Sequence, residues 1–101
     1  MIKVPSKPTL RKYGLDKDEW ILLFISQGEI CPICGRSGVT MVTDHEHVRG
    51  WKKMPPEKRK LFVRGIICSW CNQRIVGRGA TFQKLINGAH YLRDYEMRKP
   101  K

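Results

Sequence analysis

Two Cys-x-x-Cys pairs constrain the fold of this chain more than any other feature of its sequence. Cys31 and Cys34 form the first pair, Cys68 and Cys71 form the second, and the chain has no other cysteine. In a reducing compartment, pairs of this spacing bind metal more often than they form disulfides. Four thiolates supply the closed tetrahedral shell of a structural Zn²⁺. The sequence therefore predicts a zinc that joins two distant segments, with a redox dithiol or two disulfides as the alternatives.

Length and charge limit the class of protein. A chain of 101 residues is expected to form one domain, near the size at which an apolar core alone gives marginal stability. Its 20 lysines and arginines outnumber 9 acidic residues, which gives a net charge of +11. This charge favours a polyanionic partner, and nucleic acid over membrane. Because neither a bilayer-spanning stretch nor a signal-peptide pattern is present, we expect an intracellular protein.

Changes in composition along the chain predict how it is organised. Residues 1–13 are basic and contain two prolines, which we interpret as an arm rather than a folded element. Residues 14–98 are then expected to form a single folded domain, and residues 99–101 a basic tail. No internal repeat or low-complexity segment interrupts this division.

Helix and strand patterns predict a small α+β fold. A helix is expected after Asp16, which can act as N-cap in a capping box with Glu19, and Gly28 suits the end of this helix. The β-branched segments 39–45 and 62–68 predict two strands, each joined to one cysteine pair.

Two further helices are expected after the second cysteine pair. Residues 72–76 predict a short helix, and residues 81–97 predict a longer one with Thr81 as its cap. His90 lies beside the apolar stripe of the longer helix. We interpret it as a packing or surface residue, because no second type of ligand lies at helical spacing from it.

A basic loop containing Pro55 and Pro56 lies between the two predicted strands. Its excess of positive charge favours contact with phosphates over the alternative of a plain solvated loop. Basic residues in and after this loop are the predicted nucleic-acid-binding set: Arg49, Lys52, Lys53, Lys58, Arg59, Lys60, Arg74 and Arg78.

The run Asp-His-Glu-His at residues 44–47 brings two of the three histidines next to two carboxylates. A zinc that joins the two strands would bring Asp44 and His45 toward Asn72, which follows the second cysteine pair. Asp44 and Asn72 offer oxygen donors, the ligands that Mg²⁺ and similar hard cations prefer. His45 points to the opposite side of an extended strand from Asp44, so it is free to act as a base.

This arrangement predicts metal-assisted hydrolysis of a phosphodiester. Neutral His45 removes a proton from the attacking water, and a divalent ion polarises the phosphate. Arg64 is expected to stabilise charge on the phosphate. For His47 three roles stay open: it orients the phosphate, assists metal binding, or makes a local hydrogen bond.

Four segments together resemble the phage recombination endonuclease VII family, part of the HNH, or ββα-metal, nucleases. They are "YGLDKDEWILLFISQGEICPICG", "TDHEHVRG", "VRGIICSWCNQRIV" and "LINGAHYLRDY". The resemblance covers roughly residues 11 to 95. It implies a zinc-stapled ββα-metal core between an N-terminal and a C-terminal helix.

The same resemblance implies the roles of the site residues. It places the structural zinc on the four cysteines and a catalytic Mg²⁺ or Mn²⁺ on Asp44 and Asn72, with His45 as the general base. It also implies cleavage of DNA that leaves 5′-phosphate and 3′-hydroxyl ends. We expect a monomer or homodimer that acts inside the cell, in the host cytoplasm if the chain is phage-encoded.

Two functions of other classes remain open from the sequence. One is a non-catalytic zinc module that binds nucleic acid through its basic loop. The other is a subunit of a phage assembly, in which the apolar excess of residues 20–25 forms an interface.

Overall fold

The computed structural model describes residues 3–77 and 79–100. Within them the chain forms the small α+β fold expected from its sequence. The helices are α1 Lys7–Lys12, α2 Lys17–Ser26, α3 Pro56–Arg59, α4 Ser69–Arg74 and α5 Phe82–Arg98. The strands are β1 Met41–His45 and β2 Val63–Cys68. Single 3-10 turns lie at Trp51–Lys53 and Lys60–Phe62.

An antiparallel pair of strands, β1 and β2, lies at the centre of the molecule. Asp44 faces Gly65, but the next residue, His45, faces Val63, so Arg64 is an extra residue in β2. Such a β-bulge bends the strand and re-aims its side chains, and bulges are frequent next to active sites. The irregular end of the hairpin therefore coincides with the predicted Asp-His site.

Helix α2 begins as its sequence predicts. The Asp16 carboxylate accepts a hydrogen bond from the Glu19 N–H at 2.8 Å, and the Asp16 N–H donates to the Glu19 carboxylate at 3.0 Å. The helix buries Trp20 and Phe24 in one apolar cluster with Ile66 of β2. This packing holds α2 against the hairpin.

Gln27, just beyond α2, pairs with the backbone of β2 as a neighbouring strand would. Its side-chain amide donates to the carbonyl of Ile66 and accepts from the Ile66 N–H, both at 2.7 Å. Gly65 leaves room for this close approach, since a Cβ there would lie 2.9 Å from the Gln27 Oε1. The amide thus satisfies backbone groups that β1 does not reach.

The N-terminal segment contains a packed helix, in contrast to the unfolded arm expected from the sequence. Residues 7–12 form α1, and Leu10 is only 2% exposed in the core. Gly14 then lies against α3, where an added Cβ would meet the Pro56 carbonyl oxygen at 2.0 Å. The arm prediction is wrong for α1, because one buried leucine and a proline in the first turn outweigh the basic composition.

The C-terminal helices differ in how closely they follow the sequence prediction. Helix α4 begins at Ser69, three residues before the predicted start at residue 72. Thr81 caps α5 as predicted, since its hydroxyl accepts from the Lys84 N–H at 3.1 Å. No residue of α5 is buried. His90 is exposed, which agrees with a surface role, one of the two roles expected for it.

Across residues 3–77 and 79–100, the helices all lack the combination of length and apolar character that crossing a membrane requires.

Candidate active site and metal centre

The two cysteine pairs converge as predicted. Their four sulfur atoms lie within 4.8 Å of one another, and the sulfurs of Cys34 and Cys68 are 3.6 Å apart. Tetrahedral zinc with Zn–S bonds near 2.3 Å places its sulfurs roughly 3.8 Å apart. Cys31 and Cys71 are almost fully buried, and Cys34 is exposed. The sulfur cluster can therefore hold a structural zinc that joins the loop before β1 to the start of α4.

Burial and mutual hydrogen bonding shift the acidities of two of these thiols. Burial raises the pKa of the Cys71 thiol to about 12, and hydrogen bonds with the other cysteines add to the rise. Burial opposes ionisation of Cys31 as well, but backbone hydrogen bonds from both pairs lower its pKa to about 6. Cys71 therefore stays protonated near neutral pH unless a cation shares its charge, and a bound Zn²⁺ would supply that charge.

Four of the five predicted catalytic residues line one open cavity of about 320 Å³. Asp44, His45 and His47 reach it from the end of β1 and the loop that follows, and Asn72 reaches it from α4. The hairpin and the cysteine cluster bring these segments together, since Asn72 directly follows Cys71. Two oxygen-bearing side chains and two imidazoles therefore face a common space.

Two hydrogen bonds from Arg64 hold the carboxylate of Asp44. The Arg64 Nε donates to Asp44 Oδ2 at 2.7 Å and its Nη2 donates to Oδ1 at 3.0 Å. The Asp44 side chain is only 7% exposed. Hydrogen bonding to this carboxylate, with its negative charge, raises the pKa of Arg64. Arg64 does not line the cavity shared by His45 and Asn72.

His45 lies among aromatic rings. Its ring stacks on Trp51 with centroids 4.0 Å apart and planes at 19°, and Tyr13 lies 5.5 Å away. Burial lowers the pKa of His45, and the neighbouring His47 at 4.8 Å adds to the shift. Both effects favour the neutral imidazole near pH 7, the form that accepts a proton.

Several residues of the cavity were not among those predicted from the sequence. Tyr13, Thr43 and Gln73 line it, and Trp51 supports His45 from one side. Burial, followed by the charge of Asp44, raises the pKa of the Tyr13 hydroxyl. No periodic pattern marks these positions. An aromatic residue inside a strongly basic loop was the one signal that could have drawn attention to Trp51.

Part of the basic loop adjoins the histidines. Arg49, Lys52 and Lys53 line a second cavity of about 440 Å³, and His45 and His47 form its shared wall with the first. Three cations thus surround the space next to the predicted site of cleavage, which suits an anionic ligand.

Other members of the predicted DNA-binding set make contacts within the chain. Arg59 donates to the backbone carbonyls of Met54 at 2.8 Å and Lys12 at 2.9 Å, and Lys60 pairs with Glu19. These two cations join the loop to α1 and α2.

The remaining predicted cations lie farther along the chain or on the outer face of the loop. Lys58 is exposed on α3. Arg74 lies over the half-exposed ring of Trp70 at 5.4 Å, on α4. Arg78 lies outside the described residues.

Comparison with known proteins identifies relatives of the chain. The model of the family "Recombination endonuclease VII" matches residues 6–94. The Gene 59 protein of Mycobacterium phage D29 is 31% identical over 71 residues, which is 67% of this chain. The match spans 36% of the length of that relative. No solved structure gives a significant match. The family match covers most of the chain, including all four cysteines and the Asp-His cavity, and the chain therefore belongs to the recombination endonuclease VII family.

Proposed function

We propose that this chain is a metal-dependent DNA endonuclease of the HNH, or ββα-metal, type. It hydrolyses phosphodiester bonds and leaves 5′-phosphate and 3′-hydroxyl ends. The observation that carries the proposal is the convergence of Asp44, His45, His47 and Asn72 on one cavity beside the cysteine cluster. A module that only binds nucleic acid has no use for a base and two oxygen donors in that arrangement.

Asp44 and Asn72 are the residues that would hold the catalytic divalent ion. A carboxylate and an amide oxygen fit Mg²⁺ or Mn²⁺, which keep several positions for water and phosphate. The open cavity leaves room for those additional ligands. The bound ion would supply Lewis acidity that polarises the phosphate and stabilises the leaving oxygen.

His45 acts as the general base. Its neutral imidazole accepts the proton of the water that attacks phosphorus, and the ring of Trp51 holds the imidazole in one plane. His47 lies on the same wall and orients the phosphate.

The DNA backbone passes from the catalytic cavity into the neighbouring basic one. Arg49, Lys52 and Lys53 contact a phosphate next to the scissile bond, since they lie on the far side of the shared histidine wall. Contacts of this kind position a strand but do not read its sequence. We therefore propose sequence-tolerant nicking of duplex DNA with at most a moderate gain on a four-way junction, by a monomer or homodimer within the host cell.

Nicking of supercoiled plasmid tests the proposal. The zinc-loaded protein should convert supercoiled circles to nicked circles in Mg²⁺ or Mn²⁺ and leave them intact in EDTA. Binding without nicking in either metal would favour the non-catalytic zinc module. Neither binding nor nicking would favour an assembly subunit, for which the exposed Leu22 and Ile25 of α2 would form the interface.

A further inference from the structure

Arg64 owes its position to the bulge in β2. The regular pairing of Asp44 with Gly65 is followed by the pairing of His45 with Val63, so Arg64 is left without a partner residue in β1. Gly65, opposite Asp44, has no side chain that could compete for the carboxylate. The bulge thus directs the guanidinium group to Asp44.

The contact between Arg64 and Asp44 pairs two opposite charges and also fixes the plane of the Asp44 carboxylate. Two N–H groups donate to the two oxygens of one carboxylate, at 2.7 and 3.0 Å. Such a fork restrains rotation of the carboxylate, which a single point charge does not. The Asp44 side chain is 7% exposed, so little water is available to replace these hydrogen bonds.

Arg64 contacts Asp44 without lining the catalytic cavity. It lines two other cavities, one with Val76 and Phe82 and one that it shares with Val76 and Asp44 itself. Its Nη2 also reaches the Val76 carbonyl oxygen at 3.4 Å. Asp44 therefore borders both the catalytic cavity, where the proposed ion would lie, and the neighbouring space that Arg64 lines.

We infer that Arg64 is a positioning residue that acts through Asp44, orienting the carboxylate toward the cavity it shares with Asn72, and that it does not contact the DNA phosphate. This inference rests on the proposed divalent-ion site. It replaces the role in phosphate charge stabilisation that the sequence alone favours for Arg64. Partners that orient a ligand in this way typically contribute about 10- to 100-fold to metal affinity.

Binding of Mn²⁺ to the zinc-loaded protein without DNA tests the inference directly. Electron paramagnetic resonance of free Mn²⁺ should show roughly 10- to 100-fold weaker binding for Arg64→Gln than for the parent. Arg64→Lys keeps the charge but loses the fork, so its affinity should fall between the two. Arg98→Gln is the matched control, because Arg98 lies over Tyr95 on α5 and does not contact Asp44.

DNA binding in EDTA separates positioning from phosphate contact. If Arg64 acts only through Asp44, Arg64→Gln should leave the salt dependence of DNA affinity unchanged. An arginine that contacts a phosphate would lower the slope of log affinity against log salt by about 1 when it is replaced. A loss of slope for Arg64→Gln, or Mn²⁺ binding that is unchanged or tighter, would overturn the inference.

An Asp44→Asn variant distinguishes failure of this inference from failure of the proposed site. If Asp44→Asn weakens Mn²⁺ binding but Arg64→Gln does not, Asp44 is a ligand and the positioning role of Arg64 is wrong. If neither variant changes Mn²⁺ binding, the divalent-ion site at Asp44 is wrong and the inference falls with it. Zinc content and melting temperature report folding, and Arg64→Lys carries the test if Arg64→Gln does not fold.

Discussion

At the scale of single residues, the packing around His45 bears most directly on the proposed hydrolysis. The half-buried imidazole packs against Trp51 and Tyr13, and these two rings also lie 5.7 Å from each other. A general base must hold its nitrogen within hydrogen-bond reach of the water that it deprotonates. The aromatic stack supplies that restraint without a hydrogen bond to the ring.

Replacement of Trp51 tests this restraint. Trp51→Leu should lower kcat for nicking by roughly 10- to 100-fold, because small displacements of a catalytic group are costly, while KM changes little. Trp51→Phe should retain most of the activity, since it keeps an aromatic face and removes an indole N–H that is buried without a partner among the described residues. Equal activity of the leucine variant and the parent would rule out a role for the stack.

At the scale of elements, the basic loop divides into two parts that make different contacts. Arg49, Lys52 and Lys53 line a cavity next to the histidines, whereas Arg59 and Lys60 bind groups of α1 and α2 and the loop itself. The sequence predicts one uniform set of phosphate contacts. Side-chain partners separate the set, and such long-range partners leave no mark in local sequence.

Salt dependence of DNA binding should follow this division. Each of Arg49→Gln, Lys52→Gln and Lys53→Gln is expected to lower the slope of log affinity against log salt by up to about 1, because each removes a phosphate contact. Arg59→Gln should instead lower the melting temperature and leave the slope nearly unchanged. Fluorescence anisotropy in EDTA measures the slopes, and a larger slope change for Arg59→Gln than for Lys52→Gln would contradict the division.

Helix α5 makes a separate prediction at the same scale. None of its residues is buried, and Phe82 and Leu92 of its apolar stripe are 79% and 61% exposed. Removal of residues 82–101 should therefore leave the zinc content unchanged and shift the free energy of unfolding by less than about 1 kcal/mol. Thermal melts and zinc analysis check this outcome. Loss of the zinc or of cooperative melting would show that α5 is required by the core.

How far the sequence predicts the structure depends on whether a feature is local. The capping box of Asp16 and Glu19 and the paired cysteine spacings are local signals, and both gave correct predictions. The position of Arg64 depends on a register shift between strands, and the support of His45 by Trp51 depends on the path of a loop. Neither feature produces a periodic pattern in the sequence, so the sequence predicts neither of them.

At the scale of the whole molecule, the cysteine cluster and one small apolar cluster hold the chain together. Leu10, Trp20, Phe24 and Ile66 form the apolar cluster, and the sulfur cluster packs beside it around Ile67. A core of this size stabilises a domain only marginally without a metal. The proposed catalytic cavity is lined by the end of β1 and by α4, and Asn72 of α4 directly follows Cys71 of the sulfur cluster, so a zinc bound there would support the geometry of the cavity.

Loss of a zinc ligand should therefore unfold or loosen the whole domain rather than slow the reaction alone. Cys68→Ser removes one buried sulfur of the shell, and metal-coupled folding predicts a lower zinc content together with a large drop in melting temperature. Ser69→Ala at the adjacent position is the control and should retain both properties. A Cys68→Ser variant with full zinc content and parental melting would disprove the structural zinc.

The most direct test of the nuclease assignment compares two histidine variants of the zinc-loaded protein on supercoiled plasmid. His45→Ala should lose about 10² to 10⁴ in nicking rate, the usual contribution of a general base, while its zinc content and DNA affinity stay at parental values. His90→Ala, which removes an exposed imidazole from α5, should nick at the parental rate. Nicking by His45→Ala at the rate of His90→Ala would contradict the assignment of His45 as the catalytic base.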